Sequence, residues 1–259
     1  SRASGANNPA RSAVYADGML LSNYLGNSAT HAPRWGLVTP EEIERVDVMY
    51  GPFSAAYPGN SVGAVIDYVT RMPTSFEAHM KVSAFNQRFD AYNTDTHFGG
   101  ANASASLGSK VGDWSYGFNV SRLDSSGQPM VFVRATPTTG TLTGTRVNGV
   151  VSALSTTGTP SDVLGTTTQY HTVQDHFKAK LAYDFSATVR ATYTLASWQN
   201  TSEGRPGTYL QGVSGQPVYS GNVGIDGKRY TLNGGTFPLS NESLQHTLHG
   251  LSVKSRTLG

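Results

Sequence analysis

Apolar and polar residues alternate along much of this chain, most clearly between residues 113 and 122. The apolar positions there are Trp114, Tyr116, Phe118 and Val120, and they alternate with Ser115, Gly117, Asn119 and Ser121. A two-residue period predicts a β-strand with one apolar and one polar face. Residues 177–185 and 187–196 repeat the pattern, and weaker versions cover residues 78–88, 101–110 and 244–254. The sequence therefore predicts about six strands of ~9 to 11 residues, the length that crosses a bilayer when tilted.

The connections between these strands alternate between long and short. Residues 90–100, 124–172 and 199–243 form the long ones, whereas Val111 and Gly112, and a turn near Ser186, form the short ones. This alternation is typical of outer-membrane barrels, which have short periplasmic turns and long external loops. The long segments are rich in Gly, Thr, Ser and Pro, which predicts exposed loops and no packed core.

A different pattern precedes the alternating strands. Thr39 can cap a short helix that begins at Pro40, and Glu42 lies where a capping box needs a carboxylate. Residues 43–50 then alternate as a strand, and Gly51 and Pro52 end it. After a turn of small residues, the apolar and β-branched residues 64–68 predict a second, more buried strand.

These elements, in this order, resemble the C-terminal half of the plug domain of TonB-dependent outer-membrane receptors. The resemblance covers about the first seventy residues. It is carried by Asp17 and Gly18, by IERVDV at 43–48, by Gly51 and Pro52, by AYPG at 56–59, and by GAVIDYVTR at 63–71. Pro58, Ala64 and Asp67 depart from the family pattern, which affects the turn geometry more than the assignment.

The resemblance implies a mostly β chain in two parts. Residues 1–72 would be the second half of a plug, and residues 73–259 the first antiparallel strands of a transmembrane barrel that the family builds with about 22 strands. An export signal, the short box that engages TonB and the first half of the plug would lie upstream of Ser1. The chain is therefore expected to be an internal fragment of a longer receptor.

Candidate ligand contacts lie in the segment 22–36, between two predicted plug strands. Tyr24, His31, Arg34 and Trp35 provide aromatic faces and a cation, which suit an anionic iron chelate. The alternative is that these aromatic residues pack against the barrel and bind nothing. The long loops offer six more candidates that the sequence does not rank: Arg134, Arg146, Tyr170, Arg205, Tyr209 and Tyr219.

Candidate contacts between plug and barrel come from the resemblance. It implies that Glu44 and Arg45 meet the inner barrel wall, and the alternative is an ordinary exposed ion pair worth ~0 to 1 kcal/mol. Gly51, Pro52, Gly59 and Gly63 belong to the same plug motif.

Several kinds of function find no support in the sequence. The formal net charge is +2, without a basic cluster that would indicate nucleic-acid binding. There are no cysteines, and no pattern indicates catalysis, a metal site or a cofactor. His246 and His249 are three residues apart on a predicted strand, so their rings point to opposite faces.

The resemblance implies active uptake across the outer membrane of a Gram-negative bacterium. The ligand would usually be a ferric siderophore, the energy would come from the TonB complex of the inner membrane through the upstream segment, and lipid would surround the barrel. A passive outer-membrane channel and a soluble carbohydrate-binding or adhesive β-protein are the alternatives.

Overall fold

The computed structural model describes residues 12–21, 36–50, 57, 64–140 and 143–256. Four short strands precede Pro73: β1 (Ser12–Ala16), β2 (Met19–Leu20), β3 (Ile43–Met49) and β4 (Ala64–Thr70). Among the described residues, no helix has the length and hydropathy needed to cross a membrane.

The first four strands form one sheet in the order β2-β1-β4-β3, called the plug sheet here. β1 is parallel to β4, and β3 is antiparallel to it. The predicted strands at 43–50 and 64–68 are thus confirmed as β3 and β4. The predicted short helix is a single 3-10 turn, Pro40–Glu42. The Glu42 carboxylate accepts a hydrogen bond from the Thr39 amide at 2.7 Å, as the capping box requires.

Six long strands follow and form an antiparallel sheet, called the wall here. They are β5 (Glu77–Ala91), β6 (Thr94–Val111), β7 (Trp114–Ser126), β11 (Asp162–Asp184), β12 (Val189–Thr208) and β16 (Ser240–Ser255). Each neighbours the next in this order, and the short β8 (Val131–Ala135) also pairs with β11. All six predicted strands are confirmed, but they run from 13 to 23 residues, longer than the pattern indicated.

The predicted long loop at residues 90–100 is wrong. β5 and β6 form a hairpin in which Ala91 pairs with Thr94, and only Tyr92 and Asn93 lie between the strands. Tyr92 adopts a left-handed backbone conformation with φ +55°. This end of the hairpin consists mainly of polar residues and glycine, so it lacks the apolar alternation by which the rest of the strand is recognised.

The other two long connections fold together, which corrects the expectation that they contain no packed core. They supply β9 (Thr138–Thr139), β10 (Thr145–Asn148), β13 (Gln211–Gly212), β14 (Gly221–Ile225) and β15 (Lys228–Leu232). These strands form one sheet in the order β13-β10-β14-β15-β9. It packs over a core, with Leu164 and Leu210 fully buried, at the end of the wall where β11 begins and β12 ends. This sheet and its core are called the cap.

The two faces of the wall differ as the alternation predicts. On β7, Trp114 and Phe118 are 50% and 43% exposed, whereas Ser115 and Asn119 on the opposite face are buried. The polar face packs against the plug sheet, because Thr39 donates a hydrogen bond to Asn119 across the contact. The contact between plug sheet and wall is therefore largely polar on the wall side.

Candidate functional site

Three basic side chains of β11 point toward the plug sheet. His176, Lys178 and Lys180 are spaced two positions apart, with one residue between neighbours, so they lie on one face of the strand. All three are buried. Lysine is seldom buried without a partner, because desolvation of its charge is costly. The plug sheet provides the partners.

Lys180 binds the turn that follows β1. Its ammonium nitrogen lies 2.9 Å from Asp17 Oδ2 and 2.7 Å from Thr70 Oγ1. Asp17 has φ +54°, and its carboxylate also accepts hydrogen bonds from the Thr70 amide and hydroxyl at 2.8 and 2.7 Å. The same carboxylate therefore joins β1, β4 and the wall.

The environment of Asp17 favours its ionised form. Burial opposes ionisation, but the charge of Lys180 and the hydrogen bonds from Thr70 and Lys180 outweigh it, so the pKa of Asp17 lies below its ordinary value. Asp17 is therefore ionised at neutral pH.

Lys178 binds the 3-10 turn. Its ammonium lies 3.0 Å from Glu42 Oε1, the oxygen that also accepts from the Thr39 amide. His176 Nε2 is 3.9 Å from the same oxygen. The Glu42 carboxylate therefore both caps the 3-10 turn and forms an ion pair with Lys178 of the wall. A more exposed ion pair, Lys81 with Glu41 at 3.0 Å, lies at the edge of this contact.

Apolar packing completes the contact beside the ion pairs. Trp198 of β12 joins a buried cluster with Val14 and Leu37 of the plug region. Gly36 lies so close to the indole that a Cβ there would be 2.5 Å from two ring atoms. A cavity of about 360 Å³ remains between the two parts, lined by Tyr68, His176 and Trp198 among others.

The predicted wall contacts are placed differently from the observed ion pairs. Glu44 and Arg45 lie on β3, where Arg45 Nε is 3.2 Å from Asp47 Oδ1 and both side chains are more than half exposed. Among the described residues, the carboxylates that form ion pairs with lysines of the wall are Asp17, Glu41 and Glu42. Gly51, Pro52, Gly59 and Gly63 lie outside the described residues, and so do Tyr24, His31, Arg34 and Trp35.

The structure separates the six loop candidates that the sequence leaves unranked. Arg134 donates to the Ser161 carbonyl at 3.1 Å, and Arg205 pairs with Glu203 at 3.1 Å. The three tyrosines also have partners: Tyr170 contacts Ser240, Tyr209 contacts Thr94, and Tyr219 packs edge-on against Phe237. Arg146 is exposed on β10 and lines a cavity of the cap.

Comparisons with known proteins find a family model and solved structures that are similar to this chain. Residues 3–65 match the family model of the TonB-dependent receptor plug domain. A solved structure of the ferric enterobactin receptor PfeA in complex with BCV-L6 is similar, with a TM-score of 0.50, 11% identity, and coverage of 92% of this chain and 38% of the receptor. A mutant PfeA from Pseudomonas aeruginosa in complex with enterobactin gives a TM-score of 0.47 at 11% identity, with the same coverage.

The chain thus spans about 38% of the length of these receptors. No curated protein matches it. The match of residues 3–65 confirms the resemblance to the plug.

Proposed function

We propose that this chain, whose residues 3–65 match the plug domain of TonB-dependent receptors, serves the active import of a ferric siderophore across the outer membrane of a Gram-negative bacterium. The observation that carries the proposal is the pair of buried ion pairs, Asp17 with Lys180 and Glu42 with Lys178, between plug sheet and wall. They hold a separate small sheet against the polar face of a large one.

A contact made of ion pairs suits a plug sheet that must be held firmly against the wall and then be displaced. Charged and hydroxyl groups can exchange their partners for water when the plug is displaced, whereas a large apolar contact would expose hydrocarbon surface. The physical step is a change between two arrangements of the plug, biased by ligand on one side and by force on the other.

The opposite face of the wall suits contact with lipid. Trp114, Phe118 and Leu181 form part of an exposed apolar band on β7 and β11. The band ends at a charged row, where Arg122 and Asp175 pair at 3.0 Å across the same two strands. An apolar band bounded by aromatic and polar residues is typical of barrel surfaces in outer membranes.

The proposed ligand and energy source rest on the similarity to the family. The similar solved structures are of ferric enterobactin receptors, so a ferric siderophore is the proposed cargo. The TonB complex of the inner membrane would deliver the energy for import. Tyr24, His31, Arg34 and Trp35 remain the proposed ligand contacts of the plug.

The two alternative functions, a passive channel and a soluble binding protein, each leave a feature of the structure unexplained. A passive channel needs no plug, so the ion pairs of Lys178 and Lys180 would be unexplained. A soluble carbohydrate-binding or adhesive protein would expose the apolar band to water. This argues against it, because exposed apolar patches on soluble proteins rarely exceed about 300 to 600 Å².

A reversible cross-link between plug and wall tests the proposal. The chain has no cysteines, and Thr39 Oγ1 lies 3.3 Å from Asn119 Oδ1. In the full-length receptor, Thr39→Cys with Asn119→Cys should form a disulfide under oxidation. Oxidised cells should bind radioactive ferric enterobactin but fail to import it, and reductant should restore import.

Each single cysteine variant is the control, and both should import under oxidising conditions. Import that continues through the cross-linked receptor, or that persists in cells lacking TonB, would contradict the proposal and favour a passive channel.

A further inference from the structure

We propose that the wall carries a binding site for a phosphate group, at the end where β11 and β12 are joined by a short turn. The site is a cavity lined by four basic side chains, Lys110, Arg190, Lys254 and Arg256. It lies at the opposite end of β11 from the cap. The inference goes beyond the proposed function, because it concerns neither the cargo nor the contact between plug sheet and wall.

The strand register places two of these cations and a carboxylate in one row across the wall. Asp184 of β11 pairs with Arg190 of β12, and Arg190 pairs in turn with Lys254 of β16. Asp184 follows Lys180 by four residues, so the row lies on the same face of the strand as Lys180. Like charges directly opposite each other in an antiparallel pair repel. An anion between Arg190 and Lys254 would therefore stabilise this arrangement.

A single carboxylate engages two of the four cations and leaves the other two available. Asp184 Oδ2 accepts hydrogen bonds from Lys110 Nζ at 2.7 Å and from Arg190 Nη2 at 2.8 Å. By contrast, the side chains of Lys254 and Arg256 form no hydrogen bond or ion pair with any residue in the described part of the chain. Lys254 and Arg256 are therefore the groups best able to bind a ligand.

Positive charge exceeds negative charge in this cavity. The described lining includes two carboxylates, Asp113 and Asp184, against the four basic side chains. Lys254 also interacts electrostatically with Asp67 of β4, which lies outside the lining. The cavity thus keeps a net positive charge that attracts an anion.

The turn between β11 and β12 adds hydroxyl groups and holds the end of β16 nearby. Ser186 and Thr188 line the cavity, and their hydroxyl oxygens are 3.2 Å apart. The Ser186 hydroxyl also accepts a hydrogen bond from the Val189 amide at 3.1 Å. The Arg256 amide donates to the Thr188 carbonyl at 2.8 Å. The cations of β12 and β16 are therefore positioned around one hydrogen-bonded turn.

The lining favours a compact anion over a large apolar ligand. The cavity has a volume of about 530 Å³, within the ~300 to 1,000 Å³ usual for small-molecule sites. The apolar residues in its described lining are Phe185, Ala187 and Val189. A guanidinium presents a planar fork of donors that matches phosphate oxygens, and a lysine ammonium binds phosphate as a point charge. A phosphate group therefore fits the chemistry of the cavity.

Aromatic residues beside the cavity indicate one source of such a group. The rings of Trp114 and Tyr183 are 4.7 Å apart, and those of Tyr183 and Phe185 are 4.9 Å apart. Phe185 also lines the cavity and is 65% exposed. Aromatic side chains of membrane barrels lie at the level of the lipid headgroups. The phosphate of an anionic phospholipid is therefore one source, and a soluble phosphate is the other.

The test is a phosphorus NMR titration of the full-length receptor in dodecyl maltoside. The probes are inorganic phosphate, dihexanoylphosphatidylglycerol and the zwitterionic dihexanoylphosphatidylcholine, and line broadening gives the affinity of each. Binding of the anionic probes should weaken with added salt. Lys254→Gln and Arg256→Gln should each weaken it about tenfold, the loss expected for one charge-assisted hydrogen bond. Arg256→Lys keeps the charge and should recover part of the affinity.

The probes distinguish the two sources. Tighter binding of dihexanoylphosphatidylglycerol than of inorganic phosphate, with weak binding of the phosphatidylcholine, would identify a lipid headgroup as the ligand. Inorganic phosphate that binds as tightly as the anionic lipid would identify a soluble phosphate. Either result supports the site when Arg256→Gln weakens the binding.

Arg205→Gln is the matched control, because Arg205 is an exposed arginine that pairs with Glu203 near the other end of the wall. It should leave the affinities unchanged, and the thermal unfolding of every variant should match that of the unsubstituted receptor. Equal affinity of the unsubstituted receptor and the double variant Lys254→Gln with Arg256→Gln for both anionic probes would overturn the site. The absence of binding by either probe would also overturn it.

Discussion

Lys178 and Lys180 occupy positions that would be unfavourable in an isolated wall. Both are buried, and each has a carboxylate within 3.0 Å. Removing one partner of a buried pair leaves the other charge without compensation, which destabilises more than the intact pair stabilises. The effect of substitution at these positions is therefore large and specific to the plug contact.

Lys180→Met should destabilise the seated plug by about 3 kcal/mol, because it leaves Asp17 buried without its cation. Hydrogen exchange of β1 and β4 amides in the full-length receptor measures the change. Lys81→Met is the matched control, since the Lys81 side chain is 62% exposed beside Glu41, and it should change the free energy by less than about 1 kcal/mol. Similar losses in both variants would contradict the role given to Lys180.

The pH dependence of the plug contact should include a contribution from Asp17. Its pKa is lowered in the folded protein from an ordinary 3.8, so the folded state binds a proton less readily than the unfolded state. Ionised Asp17 therefore stabilises the fold fully above that ordinary value, and the contribution is lost as pH falls through the lower folded-state pKa.

The urea midpoint of plug unfolding measures this contribution, with a fluorophore attached to the plug sheet. Asp17 should contribute no change between about pH 7 and about pH 5, and a loss below its ordinary pKa. Asp17→Asn should be less stable at neutral pH and should show a smaller loss in acid. An identical acid response in the two proteins would exclude Asp17 as the titrating group.

At the scale of elements, Gly36 and Trp198 fix how closely the plug region approaches β12. A Cβ at Gly36 would lie 2.5 Å from the indole ring, so Gly36→Ala should destabilise by about 1 to 3 kcal/mol. Trp198→Leu should relieve the overlap, and the double variant should be more stable than the sum of the single effects predicts. Gly117→Ala is the control, because its Cβ would meet only Pro73 at 3.6 Å.

The cap should unfold separately from the plug contact. Leu210 is fully buried in the cap core, so Leu210→Ala should destabilise the cap by about 2 to 5 kcal/mol. Limited proteolysis should then cut the cap segments faster while the protection of β1 and β4 is retained. Val213→Ala, at an exposed position, should leave the digestion pattern unchanged.

The wall could be predicted from sequence because its strands carry the two-residue period over most of their length. The start of β6 could not be predicted in this way, since residues 94–100 contain glycine and polar residues in place of apolar alternation. The cap was also missed, because its strands of two to five residues are too short to show a period.

The site was predicted only in part. Glu42 was recognised as a cap from its local spacing, but its partner Lys178 lies 136 residues away, and Lys180 lies 163 residues from Asp17. Periodicity describes neighbours along one element, so it cannot identify pairs formed by packing between sheets. The wall role of Glu44 and Arg45 stays a prediction.

For the whole molecule, the apolar band and the charged row, which lie on the same exposed face of the wall, predict different responses to an added charge. Leu181 lies in the exposed apolar band beside Tyr116, so Leu181→Arg should impair membrane insertion by about 2 to 4 kcal/mol. Gln199→Arg is the control, because Gln199 pairs in register with Asp175 in the charged row. Folding into vesicles, followed by heat-modifiable migration, should be reduced for Leu181→Arg alone.

The arrangement of Lys178 and Lys180 on one strand has a mechanical consequence. Because adjacent contacts are only about 7 Å apart along β11, a force parallel to that strand strains both attachments simultaneously. A force that lifts one end of the plug strains them in succession, so the peak load falls although the total work is unchanged. Under the proposed function, the direction of the pull relative to β11 therefore affects how readily the plug sheet detaches from the wall.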